Sequence, residues 1–305
     1  MCLAGAGALV ADRYRLRTGI AVAGDRDEAW RADDLVRGCP VVVRLPNSRH
    51  PVQPDDFLAA AGDAARVCHP GLVRVLDFGR TGAEGIPFLV TELVETASIA
   101  VVLQAGRLEP PWVLDVICQV SLALEAVHAL GLIHQDIQPG NLLLVPGGMV
   151  KIAGSWPFGV FGPPRGPAAY RAPELADGAP ATPAADLYSL GAVAWECLAG
   201  TLPGCPRPEL PSTIPAGVTD LVTDLLAADP ARRPASAGRT AERASDLLDR
   251  PMRDLAAGDS AGGLRELAVL AGRRAGGALE GAGERELRIV PGLAGDLPDG
   301  GVGVP

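Results

Sequence analysis

Lysine is nearly absent from this sequence of 305 residues, in which Lys151 is the one example. The formal net charge is −9 at pH 7, so the chain lacks the clustered positive charge that attracts nucleic acid and anionic membranes. This excludes broad electrostatic binding to either surface. We expect the partner to be a protein or a nucleotide and not a nucleic acid. Which protein it is does not follow from the sequence.

Paired cysteines are also missing, because the six cysteines form no C-x-x-C pair and have no histidine at metal-ligand spacing. Aromatic residues make up only 4% of the chain. The N-terminal apolar run has no basic residues ahead of it, which argues against a secretory signal. We therefore expect a reduced, cytoplasmic protein.

No long apolar run is free of polar residues. The longest, at 112–133, contains Asp115, Gln119 and Glu125, which favours a buried helix over a membrane span. We expect no membrane span.

Short apolar runs bounded by turn residues predict strands at 41–45, 72–79 and 87–94, with an alanine-rich helix at 57–67 between the first two. Helical periodicity follows at 112–130, 184–198, 218–228 and 237–248, and short strands are expected at 142–145 and 150–152. This segregation of strands and helices predicts an α+β protein with two lobes.

We place an N-terminal extension at 1–12, a small β-rich lobe at 13–95 and a larger helical lobe at 96–250. The rest, 251–305, is a Gly/Ala-rich tail with one possible short helix at 263–275.

Four motifs occur in a fixed order: HQDIQPGN at 134–141, YRAPE at 170–174, ADLYSLG at 185–191 and DPARRP at 229–234. Together they resemble the bacterial serine/threonine protein kinase family, and the resemblance covers about 13–250. The chain looks like a degenerate, pseudokinase-like member with the two-lobed kinase fold. The letters DFG at 77–79 precede the first motif, so they are not the family's metal-binding DFG.

The resemblance implies structural roles for four residues. Glu174 is expected to pair with Arg233, Asp186 to accept hydrogen bonds from catalytic-loop amides, and His134 to pack under that loop.

The resemblance also places Asp136 at the catalytic base and Asn141 at a metal-ligand position of the catalytic loop. Gly154 falls where the family has its main magnesium-binding aspartate, and Asn141 alone would hold Mg²⁺ weakly. Gln138 replaces a lysine that stabilises the transferring phosphate. We expect Asp136 and Asn141 to be retained loop residues with local hydrogen bonds and no catalytic turnover.

Arg44 occupies the position of the phosphate-gripping lysine, and the two side chains are not equivalent. The helix glutamate that orients this lysine aligns with Ala60. We predict that Asp63, one turn further along, pairs with Arg44 instead.

The remaining nucleotide-pocket positions also look degenerate. The phosphate-covering loop retains only Gly24 of three glycines, and Asp25 and Asp27 would repel phosphates. Val42 would tighten the base slot, and Lys151 is expected to point to solvent. The degenerate nucleotide pocket is assigned to six residues: Arg44, Val42, Gly24, Glu92, Val94 and Leu143.

We therefore expect a pseudokinase that acts as a regulatory or scaffolding protein with negligible phosphotransfer, no metal site and no cofactor. Two alternatives stay open: a divergent active Ser/Thr kinase, which would use ATP and Mg²⁺, and a nucleotide-binding switch that needs no metal.

Overall fold

The computed structural model describes residues 5–20, 27–47, 52–154, 168–204 and 209–249. Gly24 and Asp25 lie outside these ranges, as does the tail at 251–305 with its predicted helix at 263–275.

The smaller lobe is built on a six-stranded sheet with the strand order β1-β2-β3-β4-β6-β5, in which each strand is antiparallel to its neighbour. The strands are β1 (Leu9–Val10), β2 (Tyr14–Ile20), β3 (Asp27–Asp34), β4 (Cys39–Pro46), β5 (Val75–Thr81) and β6 (Ile86–Glu92). Helix α1 (Pro54–Arg66) packs on β5 and β6. Leu9 and Val10 were assigned to an extension, but they pair with β2 and belong to the sheet.

Strand β4 shows how the sequence orients this sheet. Val41, Val43 and Leu45 alternate along it and are buried in the small-lobe core. Val42 and Arg44 lie on the opposite face, because successive side chains of a strand point to opposite sides. That face carries the candidate site.

The larger lobe is helical. Its helices are α2 (Ile99–Leu103), α3 (Pro110–His128), α4 (Pro173–Ala176), α5 (Pro183–Ala199), α6 (Ala216–Leu225) and α7 (Ala237–Asp249). Helix α3 packs against both α5 and α7. A two-stranded hairpin, β7 (Leu142–Val145) and β8 (Met149–Ile152), packs on α3.

Helix α3 is the one described helix that is long and apolar enough to cross a membrane by length and composition alone. Half of its apolar window is buried inside the protein, with Ile117 and Leu124 fully buried in the large-lobe core. Burial of this kind is typical of the core helix of a globular lobe.

The lobes join through the linker at 93–98 and through strand β8. The Ile152 amide donates to the Gly71 carbonyl over 2.8 Å, and the Val73 amide donates to the Ile152 carbonyl over 3.0 Å. On the other side of the hairpin, the Leu144 amide donates to the Ala97 carbonyl over 2.9 Å. The β7–β8 hairpin is therefore held between the lobes, and the predicted α+β fold with two lobes is confirmed.

Candidate functional site

The loop at 134–141 brings three polar side chains together. Asp136 and Gln138 are buried, and Gln138 Nε2 donates to Asp136 Oδ1 over 2.6 Å. Asn141 Nδ2 donates to the other carboxylate oxygen of Asp136 and to the Asp136 carbonyl, both over 2.8 Å. Both carboxylate oxygens of the candidate base therefore accept hydrogen bonds from neighbouring amides.

Asp186 fixes the backbone of this loop through hydrogen bonds. Its carboxylate is fully buried and accepts from the amides of His134 over 2.8 Å and Gln135 over 2.7 Å. His128 Nε2 lies 2.8 Å from the same carboxylate, a partner that the sequence reading missed. Gln135 has φ +62°, a left-handed conformation that is uncommon outside glycine, so the two amides are held in place at some cost in strain.

His134 packs under the loop. Burial lowers the pKa of its imidazole below the ordinary value, and the carboxylates of Asp186 and Asp136 oppose this only in part. The ring is therefore neutral at pH 7, and its Nδ1 accepts from the Asp136 amide over 3.3 Å. This geometry agrees with a core histidine that supports the loop.

Gly154 follows β8 at the position of the expected metal-binding aspartate. Its φ is +147°, and a Cβ atom added there would lie 2.8 Å from His134 Cε1 and 3.3 Å from Asn141 Nδ2. A side chain does not fit without displacing a buried ring. Among the residues that the structure describes here, Gly154 offers no side-chain ligand and the Asn141 carboxamide is neutral, so the two fit a magnesium ion poorly.

Across the parts of the chain that the structure describes, no group of three or more His, Cys, Asp or Glu side chains is placed to hold a metal ion.

Arg44 reaches into the site from β4, and its partner differs from the predicted one. Arg44 Nη1 donates to Asp27 Oδ2 over 3.1 Å, and both side chains are largely buried. Asp63 instead lies 3.5 Å from Arg66 on the exposed side of α1, so the prediction of an Arg44–Asp63 pair is wrong. The register explains the outcome: Arg44 lies opposite Ala29, and Asp27 is two residues away on the same face of the sheet.

The resemblance places the base slot between the sheet and the β7–β8 hairpin. Val42 and Leu143 are half-buried on its two sides, and Val94 lies in the linker, which pairs with β7 through Ser98 and Leu143. The assignment of these three residues to a nucleotide pocket stays a prediction.

Lys151 does not point to solvent as predicted. Its side chain is 16% exposed, and its Nζ lies 2.5 Å from Glu92 Oε1. The same carboxylate oxygen of Glu92 accepts from the Arg74 amide over 3.0 Å. The expectation failed because Leu143 and Lys151 are paired across the hairpin, so their side chains share the face that meets the small lobe.

Glu174 and Arg233 make the contact that the resemblance implies. The two guanidinium nitrogens donate to the two carboxylate oxygens over 2.6 and 2.7 Å, and Arg233 is buried. Burial raises the pKa of Glu174, but the hydrogen bond from Arg233, a backbone hydrogen bond and the charge of Arg233 together outweigh it, and the net pKa is lowered. This pair ties α4 to the turn before α7.

Comparison with known proteins agrees with this architecture. The model of the protein kinase domain family matches residues 61–248. Serine/threonine-protein kinase PknA of Mycobacterium tuberculosis is 35% identical over 265 residues, covering 77% of this chain and 61% of the relative. Serine/threonine-protein kinase Drp72 of Corynebacterium efficiens is 30% identical over 257 residues, covering 73% of this chain and 48% of the relative. A probable serine/threonine-protein kinase PknB of Corynebacterium glutamicum is 30% identical over 214 residues, covering 64% and 32%.

A two-lobed fold with a catalytic-type loop between the lobes defines the kinase class. The chain belongs to the protein kinase family and is similar to its bacterial serine/threonine members. It spans between a third and three fifths of the length of these relatives.

Proposed function

We propose that this protein is a pseudokinase, a regulatory or scaffolding member of the family with negligible phosphotransfer. A cytoplasmic location is part of the proposal and rests on composition.

The observation that carries the proposal is the surroundings of Gly154. Phosphoryl transfer depends on neutralising and positioning charge, for which the family uses metal-binding side chains. Here the main ligand position has no side chain, and the close approach of His134 leaves no space for one. The packing around Gly154 therefore excludes the metal-binding side chain, so exchanging this one residue back to aspartate would not be enough to restore the ligand.

Two further contacts support the proposal. Arg44 is already paired with Asp27, so an incoming phosphate would have to compete with a buried carboxylate for the same guanidinium. Gln138 stands where the family has a phosphate-stabilising lysine and donates a neutral amide to Asp136, so this contact brings no positive charge to the transferring phosphate.

Each missing charge-stabilising group costs about 10²- to 10³-fold in rate, although such losses are not additive. We expect phosphate transfer from labelled ATP with Mg²⁺ to be indistinguishable from background, and Asp136→Ala to change nothing. PknA of Mycobacterium tuberculosis, assayed in parallel, checks that the conditions support transfer. Transfer by the wild type that disappears in Asp136→Ala would overturn the proposal.

A divergent active kinase is the second candidate, because Asp136 and Asn141 are brought together in the loop and the relatives are named as kinases. Thermal-shift titration separates the candidates. ATP with Mg²⁺ should raise the unfolding midpoint of an active kinase, ATP alone should raise that of a metal-independent switch, and neither should shift that of a scaffold.

A further inference from the structure

Two ion pairs lie at or next to the linker at 93–98. Glu92 was expected to line the nucleotide pocket, and in the structure its carboxylate is part of the first of these pairs. The first joins Lys151 to Glu92. Lys151 lies on β8 of the hairpin, whereas Glu92 ends β6 of the small-lobe sheet, so this pair connects the two lobes directly.

The surroundings of this pair make it more than a surface contact. The Lys151 side chain is 16% exposed and that of Glu92 is 30% exposed. Glu92 Oε1 also accepts from the Arg74 amide, so the carboxylate is held in position before it meets the lysine. Oriented and partly desolvated pairs of this kind are stronger than mobile pairs in open water.

The second pair joins the small-lobe sheet to the linker. Arg31 of β3 is opposite Val42 in the sheet register, and its Nη1 lies 2.5 Å from Glu95 Oε1. Glu95 is in the linker directly after Val94. This pair is more exposed, at 32% and 52%, and therefore contributes less.

A base bound in such a slot would touch both lobes and hold them together. In this chain side chains already span the same junction, next to the backbone hydrogen bonds of Ile152 with Gly71 and Val73. We propose that the Lys151–Glu92 pair, assisted by Arg31–Glu95, is an interlobe lock that fixes the orientation of the lobes without nucleotide. The lock goes beyond the proposed loss of turnover and does not depend on it, because a slow kinase could carry the same contacts.

Amide hydrogen exchange of the ligand-free protein tests the lock. The Ile152 and Val73 amides report on the junction, since each donates across it. We expect Lys151→Met to speed their exchange about tenfold while amides in the middle of α5 stay unchanged. Glu92→Gln should have a similar effect, and the double variant should add little to either single variant, because both remove one interaction.

The matched control is Arg239→Met, which removes one positive charge and breaks the exposed Arg239–Glu242 pair within α7. Lys151→Arg keeps the charge and should keep most of the protection. If the junction amides exchange no faster in Lys151→Met than in Arg239→Met, or if the effects of Lys151→Met and Glu92→Gln simply add, the lock is refuted.

A second measurement avoids any change at Lys151. Since the chain has a single lysine, peptide mapping after brief treatment with an N-hydroxysuccinimide ester of acetic acid measures acylation at that side chain alone. Lys151 should react about tenfold more slowly than free Nα-acetyllysine, because its ammonium is paired and largely covered, and Glu92→Gln should restore most of the rate. Equal rates in the wild type and in Glu92→Gln would overturn the proposal, whatever the phosphotransfer assay shows.

Arg31→Gln tests the weaker pair, Arg31–Glu95. It should speed exchange at the junction by about twofold to threefold, as an exposed pair contributes little. Arg17→Gln is its control, because Arg17 pairs with Asp33 within the small-lobe sheet at similar exposure and touches no linker residue among those described.

Discussion

At the scale of single residues, Gly154 decides whether the lost metal ligand could be restored. Its backbone conformation at φ +147° is one that glycine adopts easily and other residues do not. The space beside it is filled by the buried ring of His134. Restoring an aspartate therefore requires a change of backbone and packing as well as of the side chain.

We expect Gly154→Ala to lower the free energy of unfolding by about 2 to 3 kcal/mol through backbone strain and overpacking. Urea denaturation measures the change. Gly140→Ala in the same loop is the control: a Cβ atom there meets nothing within 4 Å, and a change below about 0.5 kcal/mol is expected. Equal effects of the two substitutions would show that the site does accept a side chain.

Asn141 has a structural role at the same scale, because its amide donates to both the carbonyl and the carboxylate of Asp136. We expect Asn141→Ala to lower the free energy of unfolding by about 1 to 3 kcal/mol, since it leaves these acceptors without their donor. The basal phosphotransfer signal should not change. A fall in an Asp136-dependent signal with stability unchanged would instead assign Asn141 to catalysis.

At the scale of elements, the small-lobe sheet is fastened by a cluster at the ends of β2, β3 and β5. Arg13 donates to both carboxylate oxygens of Asp34 over 2.8 and 2.7 Å and also to Asp77, which accepts from the Tyr14 hydroxyl as well. Asp77 is the first letter of the DFG at 77–79, and these contacts explain its presence without any metal.

This cluster makes stability depend on pH. The hydrogen bond from Arg13 lowers the pKa of Asp34 from an ordinary 3.8 to about 2. Because the folded-state pKa lies below the unfolded one, the contribution is present above about pH 4 and is lost as pH falls through about 2. The free energy of unfolding should be higher for the wild type than for Asp34→Asn. This difference should be about 2 kcal/mol larger at pH 5 than at pH 2.

Urea denaturation at several pH values checks this dependence. Asp33→Asn on the same strand is the control, because it breaks an exposed pair with Arg17 and should cost less than about 1 kcal/mol. A difference between the wild type and Asp34→Asn that stays constant with pH would contradict the role of Asp34.

The elements that the sequence predicts well are those with a clear apolar period. Predicted helices at 112–130, 184–198 and 237–248 are α3, α5 and α7 within two residues at each end, and 142–145 is β7. Strand β3 was not resolved by the pattern, because its sequence DEAWRADD is mostly charged or small. It forms a strand because it pairs with β2 and β4, and such tertiary pairing cannot be predicted from local propensity.

The same limit explains the errors at the site. The partners of Arg44 and Lys151 depend on strand register, which fixes the neighbours that share a face, and the sequence does not specify register across a long connection. Glu174, Arg233, Asp186 and His134 could be placed because their motifs fix their spacing. The close approach of Gly154 to His134 could not be predicted, since it depends on a backbone angle.

At the scale of the whole molecule, the large lobe depends on one buried ion pair between segments that are distant in sequence. Arg233 has no exposed side-chain surface, and besides Glu174 it donates to the carbonyls of Ala184 and Ala227 over 2.9 Å each. Its guanidinium also lies 5.0 Å from the centre of the Tyr188 ring. One residue thus connects α4, α5 and the turn before α7.

Removing one partner of such a pair leaves the other charge buried, which costs more than losing both. We expect Arg233→Met to lower the free energy of unfolding by about 3 to 5 kcal/mol, and the double variant Arg233→Met with Glu174→Leu to be more stable than Arg233→Met alone. Arg239→Met, which breaks an exposed pair in α7, should cost less than about 1 kcal/mol. Chemical denaturation of the four proteins completes the comparison, and an Arg233→Met variant no less stable than Arg239→Met would mean that the large lobe is held by its apolar core alone.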